Sequence, residues 1–323
     1  MIIFDQEDPL GKLCIPEIAK TGANCIRIAW GMANQQNKPT KATDLDKIIQ
    51  TCKSNGLVPI VGLWDFTDDA DGGFSKLDLY VQFWTKPAIL KIVKKHQNCL
   101  LLNIANEAAG GDETDAEDVQ AFADAYKSAV QTLRAAGIKV PLVIDGMDRG
   151  KSIRCFSFKG SEMLTDDPLN NLLFSFHPYW PKRFTAGNTF IDDAFTEAVT
   201  AGIPFIIGEI SKYGGFAGEE SICSPAGEVE YMRFIELANA NQIGWLVWEW
   251  GPGNASFDEH GNLLETCLNM DATTDRTFDS LNNLTPEAPN FWLKDLILDN
   301  PIGIANTSVK TAYLQSGFKT CEV

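Results

Sequence analysis

Two glutamates each follow a short apolar run with the composition of a buried β-strand. Glu107 ends the stretch LLNIANE at 101–107, and Glu209 lies in PFIIGEI at 204–210. Moving an ionised carboxylate out of water costs several kcal/mol, so such positions call for a functional reason. Two carboxyl groups across a pocket can hydrolyse a glycosidic bond, because one protonates the leaving oxygen while the other attacks the anomeric carbon. The pattern suggests Glu107 as the acid and Glu209 as the nucleophile.

Further polar and aromatic residues stand at or near the ends of other apolar runs. The candidates are Arg27, Trp64, Asn106, His177, Tyr179 and Trp248. Arg27 and Tyr179 are the expected partners that keep Glu209 ionised, since different surroundings can separate the pKa values of two carboxyl groups. The tryptophans suit the apolar C–H faces of sugars. Asp145 is the last residue of the fifth run, and a structural role is the simpler expectation for it.

Eight short apolar runs alternate with segments of helical length. The runs lie at 2–4, 25–30, 57–64, 99–106, 141–145, 172–179, 204–210 and 244–250. Continuous apolar composition is typical of parallel strands that helices cover. Eight strand–helix units without a linker predict an α/β fold, a single (β/α)8 TIM barrel. A doubly wound sheet is the alternative, but no glycine-rich phosphate turn follows the first run.

The segments between the runs carry helix signals. Between the second and third runs, apolar residues recur at i, i+3, i+4 and i+7, namely Leu45, Ile48, Ile49 and Cys52. Thr114 and Glu117 have the spacing of a capping box, and Gly137 is placed to end the helix that follows. Long polar insertions at 64–77 and 251–286 follow strand C-termini, the face that carries barrel active sites. Residues 300–323 are expected to pack as a tail, so 1–323 is predicted to be one catalytic domain.

Composition restricts the partners. The net charge of −16 disfavours nucleic acid and anionic membrane surfaces, so a neutral substrate fits better. No stretch reaches the roughly 18 apolar residues of a membrane helix. Three histidines without metal-ligand spacing predict no metal, and no cofactor is expected. Eight cysteines include no CxxC pair, and their pairing stays open. We expect a monomer.

The start of the sequence, MIIFDQEDPL, lacks the basic region and the apolar core of a signal peptide. Either the protein is intracellular or a leader is missing from this sequence. Because Met1 runs straight into a predicted strand, we expect a missing leader and therefore a secreted, cell-surface or periplasmic protein.

Five stretches together resemble glycoside hydrolase family 5: ANCIRIAW, LLNIANEA, FSFHPYW, IIGEIS and IGWLVWEW. The likeness extends from about Asn24 to Trp250 and is nearest to the bacterial β-mannanase-like subgroup. It implies a retaining hydrolase of β-1,4-linked polysaccharide, mannan or glucan, with Glu107 as acid/base and Glu209 as nucleophile. It also implies that Asn106 holds the sugar 2-hydroxyl and that Trp248 is the sugar platform.

The resemblance further implies that Arg27 and Tyr179 orient the nucleophile and that His177 lines the sugar site. One departure concerns the third strand, where the family usually has a histidine and this sequence has Trp64. A bulky Trp64 that blocks one end of the cleft would favour exo action or short substrates. The alternative function is a barrel that binds glycans without cleaving them.

Overall fold

The structure is a computed structural model that describes residues 1–3, 8–33, 39–109, 111–214, 223–253, 268–316 and 318. Within these ranges, eight parallel strands form one sheet in sequence order. The strands are β1 Ile2–Ile3, β2 Cys25–Trp30, β3 Val58–Leu63, β4 Leu101–Asn103, β5 Leu142–Asp145, β6 Leu172–Phe176, β7 Phe205–Ile210 and β8 Trp245–Val247.

The sheet curves toward closure. The backbone N–H of Trp250, just after β8, donates to the carbonyl oxygen of Ile2 in β1 at 2.9 Å. Each strand pairs in parallel with the next, and helices occupy the connections. The predicted (β/α)8 barrel is therefore confirmed.

The helices of the described residues surround this sheet. Those that precede β7 are α1 Cys14–Lys20, α2 Ala42–Ser54, α3 Leu77–Thr85, α4 Pro87–Lys95, α5 Ala116–Ala135, α6 Arg154–Asp166, α7 Lys182–Thr185 and α8 Phe190–Thr200. Those that follow it are α9 Tyr231–Ala240, α10 Phe278–Asn282, α11 Phe291–Lys294, α12 Ile304–Thr307 and α13 Ala312–Gln315. A π-helix, Asp295–Asp299, continues α11. No helix of the described ranges is long and apolar enough to cross a membrane.

Apolar side chains pack in two places. A small cluster fills the inside of the barrel: Ile2, Ile60, Val143 and Leu246. A much larger core lies between the outside of the sheet and the helices, and the predicted apolar face of α2 is buried there. Strand alternation separates the two, because successive side chains point to opposite faces. Arg27 pairs in register with Ile2 and Ile60, so it shares their inward direction.

The structure corrects one predicted helix start. The N-cap of α5 is Asp115, whose side chain accepts from the backbone N–H of Glu117 at 2.8 Å, and not Thr114. Thr114 instead donates its hydroxyl and its backbone N–H to Asp112. Gly137, with φ +87°, follows the helix as predicted.

Parts of three other predicted features fall outside the described residues. These are the end of the first run at Phe4, residues 254–267 of the second insertion, and most of 317–323. Of the C-terminal segment, Leu314 and Phe318 are buried, and the carbonyl oxygen of Phe318 accepts from Asn98 Nδ2 at 3.2 Å.

Candidate active site

Glu107 and Glu209 face each other at the C-terminal end of the barrel. A carboxylate oxygen of each lies within 4.8 Å of the other. Retaining glycosidases hold their two carboxyl groups about 5–5.5 Å apart, whereas inverting enzymes need about 6.5–9.5 Å to admit a water molecule. The spacing therefore fits direct attack by one carboxylate on the sugar. Glu107 keeps a little exposure, with 16% of its side chain accessible, against 4% for Glu209.

The backbone that carries Glu107 has left the strand. β4 ends at Asn103, and the N–H of Asn106 then donates to the carbonyl oxygen of Leu63 at 2.7 Å. Glu107 adopts φ +51°, a left-handed conformation that non-glycine residues seldom use. Its N–H donates to Asp145 Oδ2 at 3.0 Å, which fixes this turn. Gly72 lies against it, because a Cβ there would stand 2.1 Å from the Glu107 carbonyl oxygen.

Arg27 is the centre of a buried hydrogen-bond network. Its Nη1 lies 3.1 Å from Glu209 Oε1 and its Nη2 2.9 Å from Asp145 Oδ2. Nη2 also donates to Asn103 Oδ1 at 3.1 Å and to Asn106 Oδ1 at 2.8 Å. A buried charge is tolerated only when it is paired and hydrogen-bonded, and this guanidinium is both. One side chain thus ties together residues from four strands and the turns that follow them.

The surroundings of Glu209 set its protonation. Tyr179 donates its hydroxyl to Oε2 at 2.8 Å while Arg27 reaches Oε1. Burial, and after it the charge of Glu107, oppose ionisation and outweigh the help from Arg27 and Tyr179, so the pKa of Glu209 is raised to about 7. Arg27 and Tyr179 are thus its partners as expected, but they do not bring the pKa below its ordinary value.

His177 joins the two carboxylates. Its Nδ1 lies 2.6 Å from Glu107 Oε1 and its Nε2 lies 2.7 Å from Arg27 Nη1. Burial lowers the pKa of His177, but Glu209 and Asp145 outweigh burial and raise it to about 10, which by itself would protonate both nitrogens. Two N–H groups cannot bond to each other at 2.7 Å, and Arg27 always carries its protons. We therefore assign an acceptor to Nε2 and the ring proton to Nδ1, where it points at Glu107.

Two tryptophans stack beside this network. The rings of Trp64, directly after β3, and Trp248, directly after β8, have centroids 5.5 Å apart and an interplanar angle of 18°. The guanidinium carbon of Arg27 lies 5.8 Å from the Trp64 ring centroid. Both indoles are partly exposed. The peptide bond between Trp248 and Glu249 is cis. Trp250, by contrast, is fully buried in the outer core.

The eight predicted site residues all belong to this connected arrangement, and three further residues complete it. Asp145 accepts from Arg27 and from the Glu107 N–H, and although burial raises its pKa, the Arg27 guanidinium holds the pKa well below its usual range. Asn103 donates to Asp145 at 3.2 Å. Thr67 accepts from Asn106 Nδ2 at 3.2 Å. A polar residue at an inward position of an apolar strand could have revealed Asn103, but nothing in the sequence marks Thr67.

One group of described residues has the composition of a metal site. Atoms of Glu107, His177 and Glu209 lie within 4.8 Å of one another. Each nitrogen of His177 already faces a partner, and the Arg27 guanidinium supplies the positive charge between the carboxylates. A cation would have to displace these contacts, so the arrangement fits acid–base and nucleophilic chemistry better than metal coordination.

Comparison with protein families gives one match that spans most of the chain. The model described as cellulase (glycosyl hydrolase family 5) matches residues 10–254. The mannan endo-1,4-beta-mannosidase of Salipaludibacillus agaradhaerens is 27% identical over 248 residues, which cover 76% of this chain and 72% of that protein. The mannan endo-1,4-beta-mannosidase of Streptomyces lividans is 26% identical over 309 residues, covering 94% and 69% respectively.

Solved structures show the same architecture. The β-mannanase from Thermomonospora fusca superposes with a TM-score of 0.75 at 23% identity, covering 97% of this chain and 92% of the other. Its mannotriose complex gives a TM-score of 0.73 at 23% identity over the same shares of the two chains. At this identity the likeness shows the fold.

Proposed function

This chain belongs to glycosyl hydrolase family 5, and from that membership we propose that it is an endo-acting β-1,4-mannanase in which Glu209 is the nucleophile and Glu107 the acid/base. At the level of the family it is a retaining glycoside hydrolase that acts on β-1,4-linked polysaccharide or oligosaccharide of the mannan or glucan type. The observation that carries the proposed double displacement is the separation of the two carboxylates, within 4.8 Å.

Mannan is favoured over glucan by the relatives. Two proteins whose names specify mannan endo-1,4-beta-mannosidase match at 27% and 26% identity over most of this chain. A third, the beta-mannanase/endoglucanase A of Caldicellulosiruptor saccharolyticus, is 25% identical, and the match covers only 19% of that protein. Its double name keeps glucan as the second candidate substrate.

In the first step, Glu107 gives its proton to the glycosidic oxygen while Glu209 attacks the anomeric carbon. The C–O bond to the leaving sugar breaks, a Glu209–sugar ester forms, and the leaving sugar departs as an alcohol. Arg27 and Tyr179 hold the attacking carboxylate by its two oxygens, which limits the orientations it can take. Asn106 accepts from Arg27 through Oδ1, and its Nδ2 amide group, which also donates to Thr67, is the proposed donor to the sugar 2-hydroxyl.

In the second step, Glu107 is a carboxylate and removes a proton from water. The oxygen of that water attacks the anomeric carbon from the face the leaving sugar vacated, and Glu209 is released. Each of the two steps inverts the configuration of the anomeric carbon, so the product retains the configuration of the substrate. His177 Nδ1 lies 2.6 Å from Glu107 Oε1 and so holds this carboxyl group in place for both steps.

A substrate panel tests the proposal directly. Hydrolysis of mannan, carboxymethylcellulose, mixed-linkage glucan, xyloglucan and xylan would be measured, with product sizes followed over time. We expect mannan to be cleaved fastest, with a rapid fall in mean chain length and β-configured products by NMR. α-Configured first products would contradict the double displacement, and glucan cleaved faster than mannan would contradict the substrate. Early accumulation of only one short product would instead support the exo or short-substrate action that Trp64 suggests.

The remaining parts of the proposal concern the whole molecule. We take residues 1–323 as one catalytic domain, acting as a monomer that is secreted, attached to the cell surface or periplasmic. Support comes from the buried C-terminal Leu314 and from the net charge of −16. Size-exclusion chromatography with light scattering tests the oligomeric state.

A further inference from the structure

The stacked indoles of Trp64 and Trp248 connect two parts of the site that are distant in sequence. Trp248 follows β8 and Trp64 follows β3, and these strands are not neighbours in the sheet. Their rings nevertheless stack with centroids 5.5 Å apart and an interplanar angle of 18°. Aromatic pairs favour such offset, near-parallel contacts. The Trp248 ring is therefore supported on one side by Trp64.

The same Trp64 ring also lies beside the buried guanidinium of Arg27, 5.8 Å from its central carbon. The Nη1 and Nη2 atoms of Arg27 are fully engaged, but no acceptor among the described residues reaches Nε. An aromatic face attracts a cation and excludes water at the same time. The indole thus lies beside the guanidinium that holds Glu209.

We propose that Trp64 is a positioning residue that fixes the sugar platform Trp248 and the nucleophile holder Arg27 relative to each other. This role rests on the proposed function, because it gives Trp248 and Glu209 their parts in sugar binding and attack. Trp64 can position both groups, since its ring stacks on the Trp248 indole and also lies beside the Arg27 guanidinium. The expected consequence is a transition-state effect: without Trp64, the sugar still binds but meets a displaced nucleophile.

The experiment compares Trp64→Leu, Trp64→Phe and the control Trp245→Phe. Trp245 begins β8, at the opposite end of the barrel, and packs partly buried against the core. Stacked indoles give an exciton couplet in circular dichroism. We expect the couplet to be lost in both Trp64 variants and in Trp248→Phe, and to persist in Trp245→Phe.

Kinetics on a mannan oligosaccharide supply the second readout. Active sites would be counted by trapping with a 2-deoxy-2-fluoro glycoside, so that misfolded protein does not enter the rates. We expect Trp64→Leu to lower kcat at least tenfold with little change in KM. Trp64→Phe, which keeps an aromatic face, should recover most of that loss, and Trp245→Phe should match the parent.

The outcomes separate the two proposals. An active parent whose Trp64→Leu variant keeps the parental kcat, or a parent without a couplet, overturns the role of Trp64 and leaves the proposed function standing. A parent that cleaves no β-1,4-linked glycan overturns the proposed function and this role together. If Trp64→Leu does not fold, Trp64→Met replaces it as the variant without an aromatic face. The role of Trp64 then requires that kcat of Trp64→Met be lower than kcat of Trp64→Phe.

Discussion

The Nδ1 atom of His177 lies 2.6 Å from Glu107 Oε1, and Nε2 of the same ring lies 2.7 Å from Arg27, which in turn binds Glu209. The two carboxylates are therefore coupled through an imidazole and a guanidinium as well as through space. A replacement of His177 or Arg27 would therefore change the surroundings of both carboxyl groups at once.

Replacing Glu209 by alanine should abolish turnover by removing the nucleophile. We expect kcat to fall by several orders of magnitude while the thermal transition survives, because an alanine in that space removes a buried carboxyl group and not packed hydrocarbon. Mass spectrometry of the parent enzyme trapped with a 2-deoxy-2-fluoro glycoside should place the sugar on the peptide that contains Glu209. A label on another carboxylate would disprove the assignment.

Replacing Glu107 by alanine should give a different kinetic signature. General acid–base catalysis contributes about 10²- to 10⁴-fold, and it matters least for a leaving group that needs no proton. Activity on mannan should therefore fall by about that factor, while the first step on an activated aryl glycoside stays fast. Azide should restore turnover of the aryl glycoside and yield a β-glycosyl azide. The matched variant Glu209→Ala should form an α-glycosyl azide or no azide product. A β-glycosyl azide from Glu209→Ala would mean that Glu209 is the acid/base and Glu107 the nucleophile.

The protonation of Glu209 should be visible in both activity and stability. Burial raises the pKa of Glu209 to about 7 from an ordinary 4.5, so kcat/KM should fall about tenfold per pH unit below that value. For stability, a raised folded-state pKa means that the contribution of this group is complete below 4.5 and is lost as the pH rises through 7. Glu209→Gln should therefore be more favourable for stability at about pH 8 than at about pH 5, relative to the parent at the same pH.

Thermal denaturation at the two pH values checks the stability effect. An exposed glutamate, such as Glu162 with 50% of its side chain accessible, provides the control variant Glu162→Gln. Equal shifts at both pH values, or a kcat/KM that stays level well below pH 6, would show that Glu209 is not the group that titrates.

Thr67 should influence the recognition of the sugar 2-hydroxyl through Asn106. Its hydroxyl accepts from Asn106 Nδ2 and donates to the Asn106 carbonyl oxygen. Thr67→Val removes both bonds, and we expect kcat/KM to fall by about threefold to tenfold, the worth of a single hydrogen bond. Thr67→Ser keeps the hydroxyl and should behave like the parent. On a 2-deoxy glycoside, which lacks the 2-hydroxyl, Thr67→Val should have the same kcat/KM as the parent. An equal loss of kcat/KM on both substrates would show that Thr67 does not act through recognition of the 2-hydroxyl.

The sequence predicted the order and number of strands in the described chain because buried parallel strands leave a strong apolar signal. β2 was predicted with its observed ends, whereas β4 ends at Asn103, three residues before the predicted end. The chain leaves the sheet there so that the N–H of Glu107 can meet Asp145. That contact joins residues 38 positions apart, and no local pattern encodes it.

The residue types of the candidate site were predictable from the sequence, but the contacts between them were not. Arg27 and Glu209 stood out as charges in apolar strands. The stacking of Trp64 on Trp248 and the raised pKa of Glu209 depend on how the closed barrel brings separate strand ends together. The start of α5 was misplaced because Asp115 and Thr114 are adjacent capping residues, and the local turn at Asp112 uses Thr114.

Arg27 has a structural role inside the barrel and a positional role at the catalytic residues. The guanidinium that joins strands β2, β4, β5 and β7 from within also aims the groups that would cleave the substrate. Attempts to redesign this enzyme for other glycans should therefore leave the inner residues that contact Arg27 untouched. On heating, the loss of activity and the unfolding of the barrel should therefore occur in the same transition. No temperature range should exist in which the barrel is folded but inactive.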